Sequence, residues 1–365
     1  MEEDMKITDL CTNYMRIPVE TALVNKTKSR AFMEVITLKI VTDEGLVGYG
    51  YSYTDGFGGR AIQTVIETDI RDLIIGKDPM CVKELSRFCL WELRQAGSSG
   101  VTVLGVAAMD LALWDIYSQA VGLPISTIWG AYRDRVPMYA SVAGWATLPP
   151  EEMAARAKEL YDMGMTGIKL QVGRTTPDGD ARRIEILRET LGKEAKIFID
   201  ANTILGLPQA IKLAKRLEEY DIFWFEEPIP LLDKEGHKLL GQHTTIPLAV
   251  GENFYGYGEC HDFITDRLVS YMQTDVIRIG GPTEWMRVAA LADSYNVRMS
   301  PHFVMEVTTE VQCCVQNSLF VEYIPWFQAY FKDPIRTENG FAYARTKPGL
   351  GLEFDEAAVK AFTVE

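Results

Sequence analysis

Eight short apolar runs, each followed by an amphipathic stretch, constrain this chain more than any other feature. They fall at residues 139–144, 167–171, 196–200, 222–226, 246–252, 271–275, 298–302 and 318–322. Their spacing of roughly 25 residues is the length of one βα unit in a parallel barrel. A doubly wound sheet is the competing arrangement, but it ordinarily opens on a glycine-rich phosphate turn, and no GxGxxG follows any of these runs. The expectation is an α/β barrel.

Before the repeat begins the pattern is different. Residues 32–40 and 48–53 read as strands around the turn Asp43-Glu44-Gly45, which gives a hairpin. Residues 103–121 are rich in Ala, Leu and Met and read as a helix stopped by Gly122 and Pro124. Strands followed by a helix in one block predict an α+β domain over residues 1–125, ahead of a barrel over 126–330. The polar segment 331–365, with Pro348-Gly349-Leu350-Gly351, is expected to return across the surface to the first domain.

Charge narrows the partners. The formal net charge of -14 argues against nucleic acid or an anionic membrane, either of which calls for a basic face. A small anionic substrate stays compatible, because a bound metal reverses the local field. The N-terminus MEEDMKITDL is acidic where a signal peptide is basic, and no long apolar run follows it, so a soluble, cytoplasmic chain is expected. Cys11, Cys81, Cys89, Cys260, Cys313 and Cys314 form no CxxC pair and read as buried, reduced thiols.

The runs carry their chemistry at their ends. Lys169 ends the second, Asp200 the third, Glu226 the fourth and Glu252 the fifth, and Asp275, His302 and Glu322 close the last three. Barrel sites lie at the C-terminal ends of the strands, so these side chains converge on one mouth. A lone strand-end glutamate is ordinarily a solvated rim residue. Three carboxylates on consecutive strands, followed by Asp and His on the next two, point instead to a hard divalent cation, Mg2+, beside an acid–base group. His302 suits proton transfer near neutrality. Asp275 is positioned to fix its tautomer, Glu322 to stay protonated by burial and donate a hydrogen bond, and Lys169 to contact a substrate carboxylate. Glu227 is the weaker candidate, since alternation sends it to the opposite face. His237, His243 and His261 read as surface residues, and Arg278 reads equally well as structural.

This ordered set resembles the mandelate racemase branch of the enolase superfamily, through the hairpin, the MDLALWDI helix and every barrel strand from the second onward. The resemblance implies an α+β capping domain on a modified TIM barrel, (β/α)7β, and a symmetric homo-oligomer. It implies Asp200, Glu226 and Glu252 as magnesium ligands, the His302–Asp275 dyad as base, Glu322 as electrophilic partner and Asn202 on a substrate hydroxyl. It also implies that segments 15–24 and 51–59 fold over the mouth. One departure bears on the reaction. Family racemases carry Lys-x-Lys on the second strand, whereas this chain reads Lys169-Leu170-Gln171. Glutamine is not a useful base, so Gln171 is expected to hydrogen-bond a substrate hydroxyl while His302 works alone. One base serves syn dehydration of a polyhydroxylated sugar acid to a 2-keto-3-deoxy acid. The alternatives are a racemase or epimerase using Lys169 as second base, and a non-catalytic barrel. A metal-dependent hydrolase is disfavoured, because no His-x-His pair or HExxH motif supplies nitrogen ligands.

Overall fold

The computed structural model describes residues 5–19 and 31–364. Three strands open the fold: β1 (Ile7–Pro18), β2 (Phe32–Thr42) and β3 (Val47–Thr54), in the antiparallel order β1-β2-β3. The hairpin from β2 to β3 matches the expected one. Strand β1 does not alternate cleanly between buried and exposed residues, which is why its sequence does not announce it.

Strand β3 is held from both faces. Gly48 and Gly50 point one way, where an added Cβ would stand 2.1 Å from the Ala112 and Ala108 carbonyl oxygens respectively. Those alanines lie one turn apart on the helix Val101–Val121, so glycine against alanine lets backbone meet backbone. This helix ends at Gly122 in the left-handed conformation (φ 72°), as the stop signal predicts. It is long and apolar enough to cross a membrane by composition, yet 89% of its most apolar window is buried inside the protein. Tyr49, Tyr51 and Tyr53 point the other way from β3. Their hydroxyls reach Glu353 (3.0 Å), Glu306 and Asp275, tying the small domain to the barrel and the tail.

The barrel contains eight parallel strands among the described residues: β4 (Arg135–Ala140), β5 (Gly167–Gln171), β6 (Lys196–Asp200), β7 (Ile222–Glu226), β8 (Leu248–Val250), β9 (Tyr271–Met272), β10 (Arg298–Met299) and β11 (Val321–Tyr323). They pair in chain order from β4 to β10, and β11 closes the ring by pairing with β4 in parallel. A bridge from Met299 to Ser318 joins the last two staves. The first strand ends before the expected 139–144 run does, because Gly144 turns back onto the Ser141 carbonyl (3.0 Å). A closing hairpin, β12 (Thr337–Glu338) and β13 (Phe341–Tyr343), adds to the far side of β4. The tail then reaches the first sheet, where Val364 N donates to Tyr14 O at 3.0 Å.

Period-two alternation builds the barrel interior in layers. Phe198, Trp224 and Phe320 each sit two residues before a strand-end carboxylate and so share its inward face. With Tyr139 they form a buried aromatic plug, Phe198 and Trp224 lying 4.2 Å apart between ring centroids. The polar layer therefore rests on a floor of buried aromatic rings. Among the thiols, Cys89, Cys260 and Cys313 are buried, but Cys11 and Cys81 are exposed, against expectation.

Gly50→Ala is expected to destabilise the protein by about 1–3 kcal/mol through overpacking, lowering the melting midpoint by a few degrees. Gly258→Ala, with nothing within 4 Å of the added methyl, is expected to cause no loss. Thermal unfolding followed by circular dichroism checks both, and equal midpoints for the two variants would contradict the close strand–helix contact.

Candidate active site

The strand ends bring Lys169, Asp200, Glu226, Glu252, Asp275, His302 and Glu322 together around one mouth. Asp200, Glu226 and Glu252 are buried, and ligand oxygens from the three lie within 4.8 Å of one another. The Lys169 ammonium lies against them, 2.9 Å from Glu226, 3.7 Å from Asp200 and 2.7 Å from Glu322. Further donors orient the cluster from outside. Gln273 Nε2 donates to Glu226 (2.8 Å), Asn202 Nδ2 to Asp200 (2.9 Å) and Asn253 Nδ2 to Glu252 (3.1 Å).

One lysine does not neutralise three buried carboxylates. Burial, only partly relieved by Lys169 and reinforced by repulsion from Glu252, pushes Asp200 up to about 6. The same causes, with Asp200 added to the repulsion, push Glu226 well up. Glu252 is also raised by burial, but His302 and Arg278 outweigh that and hold it low. Hard oxygen donors that repel one another in a buried site fit a divalent cation such as Mg2+, which takes oxygen ligands at about 2.1 Å.

His302 and Asp275 lie just beyond the short strands β10 and β9. His302 Nδ1 pairs with Asp275 Oδ2 at 2.8 Å, and its Nε2 stands 3.3 Å from Glu252. Asp275 takes the Ile277 and Arg278 amides on its other oxygen, at 2.8 and 3.1 Å, and also accepts the Tyr53 hydroxyl. Burial raises Asp275, but these partners and His302 hold it below the usual carboxylate range. That makes it an acceptor, so His302 donates from Nδ1 while its Nε2 faces the mouth beside Glu252.

Glu322 differs from its expected state. Burial alone would raise it, but Lys169, His302 and the Ser141 hydroxyl hold it down at about 2, so it is ionised rather than kept protonated. The Phe303 amide completes its set of donors at 2.9 Å. Gln171 Oε1 accepts from the Ala146 amide (3.2 Å), and its Nε2 donates to Asn202 Oδ1 (3.3 Å). The residue that replaces a lysine thus sits beside the candidate hydroxyl-binding asparagine.

Two side chains depart from the sequence reading. Glu227 adopts a left-handed backbone (φ 37°), which keeps it buried beside the site, where Asn253 Nδ2 donates to it at 2.7 Å. His237 is buried rather than on the surface, its ring packed edge-on to Phe263 and its Nδ1 2.9 Å from the Asp233 carbonyl. His243 and His261 are exposed.

The mouth encloses a cavity of about 360 Å³, and Val19, Met33 and Tyr53 of the first domain help to line it. Of the expected lid segments, residues 20–24 lie outside the described residues. Arg278 also lines the cavity and donates to the Glu252 carbonyl at 2.9 Å. Trp145 and Arg174, which sequence reasoning passed over, line the wall as well. Arg174 stands three residues past β5, where position alone carries no signal.

Comparison with known proteins agrees with this architecture. Residues 5–130 match the mandelate racemase / muconate lactonizing enzyme N-terminal domain, and residues 152–358 match the enolase C-terminal domain-like family. The L-talarate/galactarate dehydratase of Salmonella typhimurium is 29% identical over 343 residues, covering 93% of this chain and 86% of the relative. The 3,6-anhydro-alpha-L-galactonate cycloisomerase of Streptomyces coelicolor is 30% identical, covering 94% and 96%. The L-talarate dehydratase of Polaromonas sp. JS666, solved with Mg and L-glucarate, superposes with a TM-score of 0.91 at 29% identity, covering 99% and 98%. With both domains matched and the carboxylate cluster at the mouth between them, this chain belongs to the mandelate racemase / muconate lactonizing enzyme family of the enolase superfamily.

Proposed function

We propose that this protein is a magnesium-dependent acid-sugar dehydratase, a hydro-lyase that uses His302 as its single base. The observation that carries this reading is the pairing of one oriented histidine with a three-carboxylate cluster at the same mouth. The dehydratase relatives support the reaction class.

Asp200, Glu226 and Glu252 would hold magnesium, which supplies positive charge against the second negative charge that develops on a substrate carboxylate as the α-proton leaves. His302 Nε2 takes that proton from C2, and Asp275 stabilises the resulting imidazolium through Nδ1–H. The same imidazolium then protonates the hydroxyl on C3 as the C3–O bond breaks, so water departs on the face from which the proton was taken. The enol left behind tautomerises to the 2-keto-3-deoxy acid, with a solvent proton arriving at C3. Gln171 and Asn202 contact substrate hydroxyls, and Lys169 orients the carboxylate.

Racemisation needs a second base on the opposite face. Lys169 is held in ion pairs with Glu226 and Glu322, and those carboxylates, overcoming the effect of burial, raise its pKa well above the ordinary lysine value. It stays a cation and does not serve as that base. The cycloisomerase relative favours a second reading with the same first step. A 3,6-anhydro acid presents a ring oxygen at C3, and expelling it instead of water would open the ring.

His302→Asn is expected to lower dehydration by about 10³-fold or more and to abolish exchange of the substrate α-proton with solvent deuterium. Retained exchange, read by NMR, would mean that another base operates. Glu252→Gln should weaken magnesium binding and activity together, and calorimetry showing unchanged affinity would overturn the ligand assignment.

The carboxylate cluster also predicts a pH dependence. Asp200 has a folded-state pKa of about 6, above its ordinary 3.8, so its contribution to stability is full below the lower value and is lost as pH rises through the higher one. Metal-free protein should therefore lose stability between about pH 4 and pH 7, and magnesium should raise the melting temperature more at pH 8 than at pH 5. Asp200→Asn should weaken both effects, leaving the part that Glu226 contributes. A magnesium-induced shift independent of pH would contradict the repulsion argument.

A further inference from the structure

Arg174 is a cation on the cavity wall that makes no salt bridge among the described residues, Asp200 and Asp180 acting on it only at longer range. Lys169 is ion-paired with Glu226 and Glu322. Arg278 holds down Glu252 and Asp275 and donates to the Glu252 carbonyl. The Arg174 guanidinium donates only to two neutral oxygens, the Val172 carbonyl at 3.1 Å and Asn202 Oδ1 at 2.7 Å. Its remaining N–H groups have no partner among the described residues, in a fork suited to two oxygens of one anion. Burial disfavours its charge, Asp200 and Asp180 offset that only in part, and a bound anion would stabilise it further.

Its distance from the carboxylate cluster is also informative. Asn202 bridges Arg174 Nη2 (2.7 Å) and Asp200 Oδ2 (2.9 Å), so the guanidinium nitrogen stands no more than about 8 Å from that carboxylate oxygen. A six-carbon chain spans roughly 6 Å between its terminal carbons. An acid of that length anchored by one end at the cluster has the reach to bring its other end to Arg174. A second donor faces the same space: the Trp145 indole N–H is buried without a partner and its ring lines the cavity.

We infer that Arg174 forms a subsite for a second, distal carboxylate, and that the preferred substrates are six-carbon sugar diacids rather than the monoacids of the same configuration. This rests on the acid-sugar dehydratase reading and names its substrate class.

The test compares matched pairs, such as galactarate with galactonate, across several configurations, using magnesium-loaded wild-type protein and Arg174→Met. Turnover is read as 2-keto acid formed, and binding by calorimetry. Wild type should favour the diacid in kcat/KM, and Arg174→Met should lose about 10–100-fold on the diacid while leaving the monoacid within a few-fold. Arg174→Lys should recover part of the loss, since it restores charge without the fork. Equal turnover of both members by wild type, or an equal loss on both in the variant, would overturn the subsite and leave the dehydratase reading intact. If no pair yields a 2-keto acid, the dehydratase reading fails, and calorimetry still decides the subsite. A diacid preference in binding that Arg174→Met removes would support it, and none in wild type would overturn it.

Discussion

Repulsion among buried carboxylates is the constraint on which the rest of this structure depends. Asp200, Glu226, Glu252 and Glu322 are drawn from four strands into one buried cluster, with Lys169 paired to three of them and His302 beside the fourth. Such an arrangement is unfavourable by itself, and a fold tolerates it only when rigid elements leave the side chains nowhere else to go. The closed parallel ring provides that rigidity. The aromatic floor of Phe198, Trp224, Phe320 and Tyr139 excludes water from below, which raises the effective strength of every charge above it.

The first domain takes part in this arrangement rather than merely covering it. Strand β3 alternates glycine and tyrosine, and each set answers a different neighbour. The glycines let the long helix approach to backbone contact, while the tyrosines carry hydroxyls to acids of the barrel and tail. Tyr53 reaches Asp275, the group that orients His302. Domain packing and the geometry of the candidate base are therefore linked through one hydroxyl, and a shift of the small domain would be felt at the imidazole.

Much of this was readable in the amino-acid order because period-two alternation and strand-end position are local properties. Lys169, Asp200, Glu226 and Glu322 lie in or at the end of regular strands, where the reading is direct. Asp275 and His302 stand three residues past strands of two residues each, and they were legible only because the motif continued the series. What stayed hidden depends on tertiary surroundings. Glu227 escapes alternation through a left-handed backbone, His237 is covered by Phe263, and β1 gains its register only from β2. The ionised state of Glu322 follows from how Lys169, His302 and Ser141 surround it, which no spacing conveys. Arg174 lies in a loop, where a charged residue is unremarkable until the cavity around it is seen.

The most direct test of the account is the reaction of the magnesium-loaded protein with open-chain sugar acids in deuterium oxide, followed by mass spectrometry and NMR of what is formed. Single-base dehydration through His302 predicts a 2-keto-3-deoxy product bearing solvent deuterium at C3, and no product once magnesium is removed with EDTA. Recovery of the unchanged acid with deuterium at C2 and inverted configuration, and with no 2-keto product, would contradict it.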